Sequence, residues 1–162
     1  MIVGLVGFAR AGKNSAADNM PQFKQMAFAD RLKEQLRPFI KCNYNIDALS
    51  CSSEEKEIIR PMLVAHGACK RAQDPDYWIK CLATDLPGGL IAVSDVRYLN
   101  EVKWILSKGG VCVYIRRDGY GPANAEEGRS ILEIINTIQI PEILNDGTKE
   151  ELGKKVLKAI GG

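Results

Sequence analysis

The run Met1-Ile2-Val3-Gly4-Leu5-Val6 passes directly into Gly7-Phe8-Ala9-Arg10-Ala11-Gly12-Lys13-Asn14-Ser15. An apolar strand, then glycine, four residues, glycine and lysine, then a helix leaves little freedom in what the chain can build. It is the arrangement that wraps nucleotide phosphates. Glycine permits the tight turn that points several backbone N–H groups at one anion. The helix starting near Gly12 adds its positive dipole end, and Lys13 adds a point charge for the β/γ-phosphates. The phosphate-contacting set is therefore Gly7, Ala9, Ala11, Gly12, Lys13, Asn14 and Ser15. Lys13 and Arg10 are the loop's catalytic candidates. The usual pattern ends in Ser or Thr after the lysine, where a hydroxyl ligates Mg²⁺. Asn14 stands there instead, and its carbonyl oxygen is a hard-cation donor. The alternative reading is a glycine-rich strand-to-helix turn that binds nothing.

The bulk of the chain adds limits. At 162 residues, with 46% hydrophobic and 26% charged side chains, it has the size of one globular domain with a full core. A net charge of +2 without a dense Lys/Arg block gives no support for binding polymeric nucleic acid. No apolar run is long enough for a membrane span, and Met1 leads straight into the first strand without a signal-like region. Cys42, Cys51, Cys69, Cys81 and Cys112 form no CxxC pair and are odd in number. They read as reduced thiols, which places the expected compartment in the cytoplasm.

Apolar runs alternate with helical periodicity, the pattern of an α/β fold with a parallel sheet. Strands are expected at Ile2–Val6, Gln25–Phe28, Leu90–Ser94 and Val111–Ile115, with a weaker one within Ile138–Leu144. Asp74-Pro75 reads as an N-cap and first helical residue ahead of Trp78, Ile79, Leu82 and Leu86. Ser52 with Glu55 and Thr148 with Glu151 read as capping boxes. Pro61 is expected to interrupt or restart the helix begun at Ser52, which puts Arg60 beside a helix N-terminus. There Arg60 reads either as a phosphate ligand or as a solvated arginine. His66, the single histidine, shares a register with Ile59, Met62 and Leu63 and reads as packed or surface. Trp78 reads as core, Trp104 as half-buried, and Tyr77 as a base-stacking or a surface aromatic.

Phosphoryl transfer needs positioning, a metal and positive charge around the moving group. Asp95 ends the apolar strand Leu90–Ser94, where open α/β sheets place ligands, and it is a candidate Mg²⁺ ligand together with Asn14. Its other reading is an N-cap for the helix near Tyr98. Arg97 points to bidentate phosphate binding. Arg116 and Arg117 precede the glycine-rich segment Asp118–Gly128, which reads as a mobile lid or as a solvent loop.

In this order, the pieces resemble the phage-type deoxynucleoside monophosphate kinases of the P-loop nucleoside monophosphate kinase group. The resemblance runs over nearly the whole chain: the loop, Phe28-Ala29-Asp30-Arg31-Leu32-Lys33, Arg60-Pro61-Met62-Leu63 with Gly67 and Arg71, and Asp74-Pro75-Asp76-Tyr77-Trp78. It continues through Asp95-Val96-Arg97-Tyr98-Leu99-Asn100-Glu101, Gly109-Gly110 and Arg116, and ends at Ile143-Leu144-Asn145-Asp146-Gly147-Thr148 with Glu151-Leu152. It implies a three-layer P-loop kinase fold, with a parallel sheet of about five strands, helices on both faces and a short lid. It also implies one domain over 1–162, with an acceptor-binding helical region at about 30–87 and a lid at about 116–130. The implied reaction is transfer of the γ-phosphoryl group of ATP, with Mg²⁺, to a deoxynucleoside monophosphate. Asp30, Lys33, Arg60, Arg71, Trp78 and Arg97 would contact the acceptor. Lys13, Arg10, Asp95, Arg97 and Arg116 would carry catalysis, and Arg116, Arg117 and Arg129 would belong to the lid. Partners would be small nucleotides, with no membrane and no polymeric nucleic acid, and the protein would be a monomer or homodimer. A phage origin would place it in host cytoplasm. The family's His-x-Ser-Glu element reads Arg129-Ser130-Ile131-Leu132-Glu133 here. That departure and Asn14 keep open a non-catalytic nucleotide-binding module; a P-loop kinase for another small acceptor, such as dephospho-coenzyme A, is a second alternative.

Overall fold

The computed structural model describes residues 1–161; Gly162, the end of the expected domain, lies outside the described residues. In chain order the elements are β1 (Ile2–Val6), α1 (Lys13–Asp18), β2 (Lys24–Met26), α2 (Phe28–Tyr44), α3 (Ser53–Gln73) and α4 (Tyr77–Thr84), followed by β3 (Ile91–Val96), α5 (Leu99–Ser107), β4 (Val111–Arg116), α6 (Ala125–Thr137), β5 (Glu142–Leu144) and α7 (Lys149–Ile160). They divide into two compact units. Residues 1–27 with 87–162 form one, and residues 28–86 the other.

The first unit is built on a five-stranded parallel sheet in the order β2-β3-β1-β4-β5. β1 lies at its centre and is buried throughout, as a continuous apolar run covered on both faces requires. Its alternate side chains divide between two layers. Val3 and Leu5 join Ala16 and Ala17 of α1, Val113 and Ile115 of β4, and Leu152 and Val156 of α7 in one cluster. On the opposite face Gly4 lies under Ile105 of α5, so closely that a Cβ there would stand 2.7 Å from the Ile105 methyl. Helices thus cover both faces of the sheet.

The second unit is all helix. Its core is Ile40, Ile46, Ala48 and Ile59, with Leu36, Met62 and Leu63 packed against them. Trp78 is buried as expected, and its indole N–H donates to the Gly67 carbonyl at 3.2 Å.

Several boundaries differ from expectation, each for a local reason. β2 stops at Met26, and Phe28, expected at the end of that strand, is a buried first residue of α2. The weak strand within Ile138–Leu144 contracts to Glu142–Leu144, because Ile138 closes α6 and the Pro141 carbonyl is the first acceptor to β4. Asp74 is the C-cap of α3 and not an N-cap. Its carboxylate accepts from the Asp76 N–H and pairs with Lys80, so α4 starts only at Tyr77. Pro61 neither breaks nor restarts α3, which runs unbroken from Ser53 to Gln73. The Ser52/Glu55 capping box starts that helix, and Ile59, fully buried just before the proline, anchors it to the core. Tertiary packing of this kind outweighs one missing backbone donor. The irregular part of the glycine-rich segment is confined to 117–124, because Asn124 caps α6 and Gly128 sits inside that helix.

Candidate phosphate site

The turn after β1 has the backbone that its glycines announced. Gly12 takes φ 105°, and Arg10 takes the left-handed φ of 65°. A Cβ on Gly7 would meet the Ile115 carbonyl at 2.5 Å, and one on Gly12 would meet the Asn145 amide nitrogen at 2.5 Å. The loop is therefore seated on β4 and on the segment after β5, with no space for larger residues. Asn145 holds it further, donating from Nδ2 to the Ala11 carbonyl at 2.8 Å.

Lys13 folds back under this loop. Only 9% exposed, it donates from Nζ to the Gly7 carbonyl at 2.6 Å and the Phe8 carbonyl at 2.8 Å. Burial disfavours the charged ammonium. Together with Arg97 it draws the Lys13 pKa from 10.5 down to about 8, against the opposing pull of Glu127 and Asp95. Lys13, Asp95, Arg97 and Glu127 therefore form one electrostatic cluster. Asp95 lies within β3, which overturns its reading as an N-cap; the residue before α5 is Tyr98. Arg97 sits in the turn between them, fixed by buried Glu101, whose carboxylate accepts from the Arg97 N–H at 2.7 Å and the Tyr98 N–H at 3.0 Å.

Glu127 is the residue that sequence reasoning missed. It is 3% exposed, and its Oε2 accepts from the Ala123 N–H at 2.7 Å and from the loop's Ala9 N–H at 3.3 Å. Its Oε1 is buried without a hydrogen-bond donor and stands 3.8 Å from the Arg97 guanidinium. The available signal was Asn124-x-x-Glu127, a helix start at which Asn124 Oδ1 accepts from the Glu127 N–H. The glycine at 128 made the stretch read as loop.

Other candidates have local partners. Arg116 closes β4 and pairs with Glu142 at 2.6 Å and with Asp118. Arg117 lies over the Tyr120 ring at 4.5 Å. Arg10, Asn14 and Arg129 are exposed and Ser15 is half-buried. Among the described residues no three His, Cys, Asp or Glu side chains gather as a metal cage. Asn14 and Asp95 nevertheless suit Mg²⁺, which keeps several waters and takes its other oxygens from substrate phosphates.

In the helical unit Arg60 is mid-helix, not at an N-terminus, and pairs with Glu57 at 2.5 Å and 3.0 Å, which raises its pKa. Arg71 and Trp78 converge on Gly67, where a Cβ would lie 3.5 Å from the Arg71 guanidinium. Asp30 and Lys33 face one another across 3.8 Å on α2. His66 is half-buried, bonded to Gln35 and edge-on to Trp78. The Tyr77 hydroxyl accepts from Gln35. Cys112 is buried, and burial pushes its thiol pKa up to about 12. All five cysteines are free thiols.

No protein-family model matches the sequence, and no curated protein matches it. Solved structures do. A shikimate kinase from Aquifex aeolicus superposes with a TM-score of 0.54 at 14% identity, covering 100% of this chain and 97% of that one. A protein from Thermus thermophilus gives 0.51 at 14% identity, covering 99% and 95%. The five-stranded parallel sheet between helical layers is the α/β fold that this chain shares with that shikimate kinase.

Proposed function

We propose that this protein transfers the γ-phosphoryl group of ATP to a deoxynucleoside monophosphate, releasing ADP and a deoxynucleoside diphosphate. The observation that carries the phosphate chemistry is Lys13, a buried ammonium held by the Gly7 and Phe8 carbonyls inside a glycine-bounded loop. The choice of acceptor rests on the sequence resemblance through residues 28–33, 60–78 and 95–101.

In this reading Lys13 and the loop amides bind the β- and γ-phosphates and orient the γ-group for in-line attack. Arg97, at the carboxyl end of β3, carries positive charge to the phosphoryl oxygens as charge develops on them. Asn14 and Asp95 would hold magnesium, which when bound neutralises phosphate oxygens. The acceptor phosphate has a second pKa of about 6, so at neutral pH it is already ionised and no general base is required. That fits a chain whose one histidine is tied to Gln35. By the resemblance Arg60 and Arg71 would bind the acceptor monophosphate, and Arg116, Arg117 and Arg129 would belong to a lid. The setting is the cytoplasm, with nucleotides as the partners.

The test is ADP release from Mg-ATP with dAMP, dGMP, dCMP, dTMP and dUMP in turn. Release that depends on one or more of them is expected. The likeness to shikimate kinase favours a second reading, a kinase for another small hydroxyl-bearing acceptor. ATP binding without release to any monophosphate would move the assignment there, or to a non-catalytic module.

A further inference from the structure

The placement of Glu127 has no role in the reaction described above. A carboxylate 3% exposed, one oxygen on a phosphate-loop N–H and the other without a donor, is an expensive thing to bury. Its surroundings explain why it is tolerated: Lys13 and Arg97 are both close enough to act on it or beside it. It therefore supplies negative charge to a loop whose amides and cations are arranged for an anion. It also bridges separate parts of the chain, joining Ala9 in the loop to Ala123 before α6.

We propose that Glu127 sets an affinity threshold for the phosphate loop: its carboxylate takes the Ala9 N–H as a phosphate oxygen would, so that every incoming anion must displace it, and a polyphosphate binds past that threshold where a lone small anion does not. This rests on the reading of the loop as a nucleotide-phosphate site. Breaking the carboxylate's contacts penalises every incoming anion. A triphosphate recovers that penalty through several amides, Lys13 and Arg97 at once. Orthophosphate has too few oxygens to reach all of them. Displacement also frees Ala123, so the loop's occupant and the 117–124 segment move together.

The experiment titrates the wild type, Glu127→Gln and Glu127→Asp with tripolyphosphate, orthophosphate and ATP by calorimetry. Working at pH 6.5 keeps Lys13, with its pKa near 8, protonated. Glutamine keeps an oxygen for both amides but loses the charge; aspartate draws the carboxylate back from Ala9 and serves if the glutamine variant does not fold. The wild type should bind tripolyphosphate and ATP and ignore orthophosphate. In Glu127→Gln all three should tighten by about tenfold, the worth of one charge-assisted hydrogen bond, with orthophosphate binding becoming measurable. Unchanged or weaker anion binding in a folded variant overturns the proposal. Tighter anion binding without phosphoryl transfer to any acceptor keeps it and removes the kinase reading. Failure of all three proteins to bind any polyanion overturns both.

Discussion

The phosphate loop and the helical unit treat their charges in opposite ways. Around the loop, Lys13, Glu101 and Glu127 are buried, and Glu127 keeps an oxygen without a hydrogen bond. In residues 28–86 Arg31, Arg37 and Arg60 lie at the surface and are matched at short range: Arg31 with Asp85 and Glu34, Arg37 with Asp47, Arg60 with Glu57. Exposed pairs of this kind add little to stability, because water and salt screen them. Buried groups are not screened, and Glu127, with one carboxylate oxygen lacking a donor, is held there at an energetic penalty. The difference teaches where to look for chemistry. A cluster left poorly satisfied on its own is the place to seek a ligand, whereas the surface pairs give no such sign.

The largest effect should come from removing the buried cation. Lys13→Ala is expected to lower turnover at least about a hundredfold with the fold retained, as loss of one transition-state electrostatic contact does. Coupled ADP release and circular dichroism check it, and near-normal turnover would end the kinase assignment. Next, Gly12→Ala forces a side chain onto φ 105° with its Cβ 2.5 Å from Asn145. It should cost about 1–3 kcal/mol in urea denaturation and weaken ATP binding as well. A substitution without effect would show that the loop's seat on Asn145 is slack.

The Lys13 pKa gives two predictions of opposite sign. Phosphate binding needs the ammonium, so ATP affinity should fall above pH 8, by up to about tenfold per pH unit. The folded pKa lies below the unfolded value of 10.5, so the unfolded chain binds more protons between about 8 and 10.5, and stability should rise across that window. An ATP affinity flat from pH 7 to 10 would remove Lys13 from phosphate binding. The smallest effect belongs to the surface pairs. Arg60→Ala should change stability by less than about 1 kcal/mol. As an acceptor ligand, however, Arg60 should raise the acceptor KM by about tenfold when lost, with kcat little changed. An unmoved KM returns it to a solvated helix face.

Much of the fold was legible in the sequence because it is written locally. Ile2–Val6, residues 91–93 and residues 111–115 are short apolar runs of the kind that a sheet covered on both faces buries. The Ser52/Glu55 and Thr148/Glu151 boxes close within four residues and form as read. Local reasoning failed where a local rule met the core: Pro61 stays inside a helix whose neighbouring Ile59 is fully buried, and Asp74 ends one helix instead of opening the next. The expected lid arginines illustrate a different limit. Their positions were visible, but the pairing of Arg116 with Glu142 depends on β4 lying beside β5.

By itself, then, the sequence determined the loop, its lysine and the strands that present it, since glycine torsions and apolar periodicity act between near neighbours. Only the tertiary structure decided what surrounds Lys13. The Ala9 N–H meets a carboxylate 118 residues away, and the Ala11 carbonyl meets an amide 134 residues away. Contacts at that separation exist only once the parallel sheet has ordered β1 between β3 and β4, because it is the sheet that brings the loop, the start of α6 and Asn145 to a common edge.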